Sequence, residues 1–130
     1  MMDQDQSSSD MIPNHSRKAF SRNTLKKRFN FLKVAKEGRK AVMPSLIIQA
    51  HLKKENEEAG VRFGFTATRK IGSAVIRNRA RRRLKSTVDL IMKEKSLRPG
   101  DYVLIARHET ATVPFKVLIK DFKKALTYVS

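Results

Sequence analysis

Arg69, Lys70, Arg77, Arg79, Arg81, Arg82, Arg83 and Lys85 put eight cations and no acid into 17 residues. Like charges at that density repel one another in a free fold, so the pattern calls for a polyanion to supply the counter-charge. Arg outnumbers Lys in the run, and its planar fork of donors suits phosphate oxygens. The alternative is a solvated basic face. Other residues with chemical potential are scattered. Glu55, Glu57 and Glu58 cluster in the charged run 53–60, which reads as a solvated hairpin loop where nothing fixes their geometry. His108 and Glu109 are adjacent, and adjacent residues of a strand point to opposite faces. His15 stands alone in a polar tail. There is no Cys, hence no disulfide framework, thiolate nucleophile or Cys-ligated zinc. No Ser-His-Asp set, convergent carboxylates or metal-ligand spacing emerges, so catalytic and metal residues are expected to be none.

The cations sit on a strand, a turn and a helix. In 61–70, Val61, Phe63, Phe65 and Ala67 alternate with Arg62, Gly64, Thr66 and Thr68, which predicts one core face and one polar face. Gly64 leaves a gap on the polar face where another backbone could approach. Gly72 permits a strained turn, and Ser73 is a candidate N-cap. At about 100° per residue, Ala80, Leu84, Thr87, Val88 and Ile91 form one stripe, with Asn78, Arg79, Arg81, Arg82, Lys85 and Asp89 on or near the opposite side. Arg77 and Arg83 flank the stripe and are expected to snorkel outward.

Before this unit, residues 1–16 read as a disordered polar tail, and residues 17–130 as a single domain. A helix is expected from Asn23 or Thr24, either of which could cap it, to Gly38. Leu25, Phe29 and Leu32 would be its core stripe. Phe31 lies off that stripe, and either packs on the sheet edge or offers a ring to a base. Residues 45–53 form a strand with Leu46, Ile48, Ala50 and Leu52 inward and Ile47, Gln49 and His51 outward. After a turn at 97–101, residues 102–107 form a central strand. A last helix opens at Pro114, with a core stripe of Phe115, Leu118, Ile119, Phe122, Leu126 and Val129.

With 130 residues the chain is one modest domain. Lys and Arg number 29 against 12 acids, a net charge of +17, and the pI near 10.8 points to a nucleic-acid partner. The basic helix carries Ala, Leu and Val opposite its cations, which suits a core rather than a membrane surface. No stretch approaches a membrane span, and the polar start is not a secretory signal. The expected location is the cytoplasm.

The run Arg69-Lys70-Ile71-Gly72-Ser73-Ala74-Val75-Ile76-Arg77-Asn78-Arg79, followed by Arg82, resembles the signature of the bacterial ribonuclease P protein subunit. Ser73 stands where the family often has Asn. The resemblance covers roughly Thr24 to Val129. It implies an α-β-β-β-α-β-α order with a left-handed βαβ crossover, against the common right-handed rule. The fold class is therefore an α/β (α+β) two-layer sandwich, ribosomal-protein-like, in which helices pack on a small mixed sheet. The strand read as 61–70 would then be split or preceded by another.

The resemblance also implies the partners: the catalytic ribonuclease P RNA and precursor tRNA, with no membrane and no required protein partner. Chemistry would belong to the RNA subunit, which uses Mg2+ to cut at the 5′ end of mature tRNA. Arg69, Lys70, Arg77, Asn78, Arg79 and Arg82 would dock the catalytic RNA, and the Asn78 amide could also orient a phosphate or a hydrated metal. The 5′ leader would lie in a cleft between the first helix and the sheet. Phe31 matches an aromatic position of that cleft. Ala35 and Gln49 depart from two others, and Gln49 could instead hydrogen-bond a base edge. Lys26, Lys27, Thr66 and Thr68 fall near it. Three rivals remain. A structural RNA-binding protein of ribosomal type would share the charge but raise no cleavage rate. A protein-only nuclease would need a carboxylate cluster. A DNA-binding module would need side chains suited to base edges.

Overall fold

The structure, a computed structural model, describes residues 23–53 and 60–130. The expected tail at 1–16, the cations Arg17, Lys18 and Arg22, and Glu55, Glu57 and Glu58 lie outside the described residues. The elements run β1 (Asn23–Thr24), α1 (Arg28–Glu37), β2 (Arg39–Val42), β3 (Leu46–Leu52), β4 (Val61–Thr66), α2 (Ala74–Glu94), β5 (Gly100–Ala106) and α3 (Phe115–Val129), with 3-10 turns at Arg69–Ile71 and His108–Ala111. The five strands form one mixed sheet in the order β1-β4-β5-β3-β2. β1 and β5 run parallel to β4, and β3 runs antiparallel to both β5 and β2. From α1 onward this is the α-β-β-β-α-β-α order. The additional strand is β2, whose four residues are too few to display an alternation.

One sheet face carries Leu46, Ile48 and Ala50 from β3, Phe63 from β4 and Tyr102 and Leu104 from β5, all buried. Against it pack Ala80, Leu84, Val88 and Ile91 of α2 and Leu118, Phe122, Leu126 and Val129 of α3. The α2 stripe matches the expected one, Thr87 included. Each large side chain so buried contributes roughly 1.5–3 kcal/mol of transfer free energy. In α3, Phe115 stays 37% exposed. The packed stripe also takes in Asp121 and Ala125.

Tyr102 stacks on Phe63 with ring centroids 5.4 Å apart and donates its hydroxyl to the Arg98 carbonyl at 2.6 Å. Burial pushes its phenol up to about 12, against a smaller opposing pull from the Arg98 charge. The folded state therefore holds this proton more tightly than the unfolded chain does. Stability from this group is intact below about pH 10 and is lost as pH rises toward about 12. Tyr102→Phe should flatten that alkaline loss relative to the parent protein, read by chemical denaturation at a series of pH values.

The other sheet face is covered by α1. Leu25, Val34 and Val103 form a small second core there, with Phe31 and Ile105 packed against it. This corrects the expected first helix. Asn23 and Thr24 do not cap it; they add a short parallel strand opposite Arg62 and Phe63. The Leu25 amide continues the ladder by donating to the Phe63 carbonyl at 2.8 Å. The edge of β4 would otherwise present unpaired backbone groups, so pairing there displaces the earlier helix start. Lys27 takes the N-cap position without a side-chain cap bond. A stripe counted from Leu25 is thus out of phase with the real helix, and Phe29 and Leu32 point to solvent at 69% and 55% exposure.

Gly38 ends α1, but on extended backbone with φ −89° rather than in the left-handed region. A glycine is needed there because a Cβ would come within 2.5 Å of the Ala50 carbonyl oxygen on β3.

Candidate RNA-binding surfaces

The first surface is the cationic side of α2. β4 stops at Thr66, and the chain turns through Arg69–Ile71 to Gly72. Gly72 has φ 143°, open to glycine and strained for other residues. Ser73 then caps α2, its Oγ accepting from the Ile76 amide at 3.4 Å. Arg77 reaches back, and its Nη1 donates to the Gly72 carbonyl at 2.9 Å. The turn and the first cation of the helix are therefore fixed to each other.

The arginines divide into two groups. Arg79 Nε donates to the Ala111 carbonyl at 2.9 Å, and Arg83 donates to the carbonyls of Thr110, at 2.7 Å, and Val113. Both are thereby tied to the turn after β5. Arg83 does not snorkel outward as expected. Burial first, then the nearby Arg79 charge, lowers its pKa, from a starting value so high that it stays charged at physiological pH. Arg81 donates to the Asn78 amide oxygen, so that oxygen is already engaged. Lys85 turns toward the sheet, its Nζ 5.8 Å from the Phe65 ring centroid, within cation–π range. Arg69, Lys70 and Arg82 are exposed.

The second surface lies between α1 and the sheet face beneath it. Register places Thr66, Ile105, Ile47 and Val42 in one row across four strands, and Gly64, Val103, Gln49 and Lys40 in the next. α1 crosses the second row. The gap left by Gly64 is filled by a side chain rather than a backbone: a Cβ there would lie 2.4 Å from Cε1 of Phe31. Phe31 thus packs on the sheet and stays half-buried. Gln49 and Thr66 are half-buried on the same face, Ala35 is exposed on α1, Lys26 and Lys27 are exposed between β1 and α1, and Thr68 is exposed beyond β4.

The apolar floor of Ile47, Ile105 and Val42 went unread in the sequence, since each belongs to this surface only through pairing. At the far side, Arg62 and Asp101, directly opposite in register, form a two-bond pair at 2.8 and 2.7 Å. That hydrogen bonding to Asp101 raises the Arg62 pKa. His51, on the same face, lies 3.5 Å from Glu37 of α1.

Among the described residues, no group of three His, Asp or Glu side chains could hold a metal ion, and no helix is long and apolar enough to cross a membrane. Comparison with known proteins is consistent along the chain. A family model described as Ribonuclease P matches residues 19–130. The ribonuclease P protein component of Gluconacetobacter diazotrophicus is 45% identical over 102 residues, covering 78% of this chain and 86% of that protein. That of Ruegeria pomeroyi is 44% identical over 104 residues, covering 78% and 82%. Among solved structures, the RNase P protein of Thermotoga maritima superposes with a TM-score of 0.69 at 22% identity, over 84% of this chain and 99% of that one. The Staphylococcus aureus protein gives 0.68 at 18% identity, over 85% and 100%; both are likenesses of fold.

Proposed function

The chain belongs to the ribonuclease P protein family, the accessory subunit of the ribonucleoprotein endonuclease that processes the 5′ ends of precursor tRNA, and from that premise we propose how its two surfaces divide the work. The α2 side docks the catalytic RNA through Arg69, Lys70, Arg77, Asn78, Arg79 and Arg82. The cleft beside α1 holds the 5′ leader with Lys26, Lys27, Phe31, Ala35, Gln49, Thr66 and Thr68. The observation that carries this reading is placement: α2 and α1 pack on opposite faces of one sheet. A rigid body of this kind can hold two RNA segments at once, and its net charge of +17 lowers the repulsion between them.

The described side chains do not fit a magnesium site, so Mg2+ belongs in this reading to the RNA subunit, and hydrolysis with it. The protein orients the substrate. The assembly of this protein, the catalytic RNA and precursor tRNA needs no further protein and works in the cytoplasm.

The test is precursor-tRNA cleavage at low magnesium with the catalytic RNA alone, with this protein added, and with the protein alone. Efficient cleavage by the combination alone is expected. A protein that adds nothing to the RNA would point to a structural RNA binder. A protein that cuts unaided would place the chemistry in the wrong molecule.

The cleft makes its own prediction. Gly64→Ala should push the Phe31 ring off the sheet, because ring and methyl cannot share the space. Both Gly64→Ala and Phe31→Ala should weaken leader-dependent binding by about tenfold, the scale of one lost base–aromatic stack. The double variant should be no worse than either single one, since both act on one ring.

A further inference from the structure

Phe29 and Leu32 are large apolar side chains left 69% and 55% exposed on the outer side of α1. With Lys33, Lys36 and Glu37 they line a shallow groove of about 350 Å³. At about 100° per residue, the order around the helix from the sheet side is Val34, Phe31, Ala35, Arg28, Leu32, Lys36, Phe29 and Lys33. Between the cleft and the outer groove lie only the exposed Ala35, whose side chain is small, and the exposed Arg28, a cation. A second copy of this chain would suit the groove poorly, because it would bring two bodies of charge +17 together on their cationic helices. An aromatic ring set between lysines suits a flexible polyanion with planar bases.

We infer that the outer face of α1 is a second binding site for single-stranded RNA, occupied by the distal part of the 5′ leader after it crosses Ala35. An unpaired base stacks on Phe29, Leu32 supports it, and Lys33 and Lys36 sit beside its phosphates. This rests on the reading of the cleft as the leader site. It adds a length dependence: a short leader ends inside the cleft, and a longer one also engages Phe29. Stacking tolerates any base, so the added affinity depends on length more than on sequence.

The test uses the assembled holoenzyme and precursors whose leaders lengthen one nucleotide at a time. Phe29→Ala should leave affinity for short leaders unchanged and lower that for long leaders by about tenfold. Phe29→Trp should keep the parent behaviour. A single abasic residue in the distal leader should reproduce the loss in the parent and add nothing to Phe29→Ala. Equal affinity of parent and Phe29→Ala at every length overturns the inference. So does a loss that is the same at all lengths, which would put the catalytic RNA or the tRNA body on this groove. A change in oligomeric state on sedimentation would put a second copy there and overturns it too. If Phe31→Ala leaves even short leaders unaffected, the cleft reading itself fails, a result distinct from failure at Phe29 alone.

Discussion

Replacing Arg69, Lys70 and Arg82 together by Ala should lower affinity for the catalytic RNA about a thousandfold at moderate salt and leave the fold intact. Each side chain is exposed, so its removal vacates no core and breaks no bond that holds the fold. A hydrogen bond to a charged group contributes on the order of 1.5 kcal/mol or more, and three such contacts sum to about 4.5 kcal/mol, near three decades in affinity. The loss should shrink as salt rises, because the parent protein's affinity is itself the salt-sensitive part. Filter binding of the RNA at several salt concentrations, paired with thermal melts of the free protein, checks both halves. A triple variant that binds as the parent does would remove the ridge from the RNA interface.

Arg83 should behave in the opposite way. Its guanidinium supports the carbonyls of Thr110 and Val113, so Ala there costs stability first, about 2 kcal/mol for acceptors left without a partner. Arg79 lies between the two cases: Nε is held by Ala111, while the side chain remains exposed. Its substitution should therefore show in both the melt and the binding curve.

This division was not legible in the sequence, where Arg77, Arg79, Arg81, Arg82 and Arg83 form one run of like charge. A helical projection separates core from surface, and it placed Ala80, Leu84, Thr87, Val88 and Ile91 correctly. It cannot tell which surface arginine meets a carbonyl from a turn some 30 residues later. The same limit explains the first helix. Leu25, Phe29 and Leu32 have helical spacing, yet tertiary pairing of Asn23 and Thr24 with β4 moved the helix start to Arg28. Local pattern was readable in α2, where one element supplied the whole buried stripe. The floor of the cleft, the Arg62–Asp101 pair and the ring of Phe31 over Gly64 depend on register between strands, which no single stretch encodes.

Asp121→Ala should be the most destabilising single substitution among those considered, at roughly 3 kcal/mol. Asp121 is an acid on the packed side of α3, only 8% exposed. One carboxylate oxygen accepts from the Ser45 amide at 3.1 Å and the Ser45 hydroxyl at 2.6 Å. Ser45 is fully buried, so removing the acceptor leaves two donors without water or protein partner, and bonds to a charged group are the costlier ones to lose. The Ser45 carbonyl in turn accepts from the Thr110 hydroxyl, and the Arg107 amide donates to that same hydroxyl at 2.8 Å. The Thr110 carbonyl receives Arg83. One polar chain thus runs from α3 through the β2–β3 turn and the turn after β5 to α2. Ser45→Ala removes one donor rather than the acceptor and should cost less, about 1–2 kcal/mol. The two substitutions should be strongly non-additive, because they cut the same bonds. The chain ends on Arg83 rather than on Arg69, Lys70 or Arg82. At 25 °C, well below its lowered melting point, Asp121→Ala should therefore bind the catalytic RNA within about twofold of the parent. A larger loss would mean that the network also sets the position of the exposed cations, and that stability and RNA binding are coupled through α2.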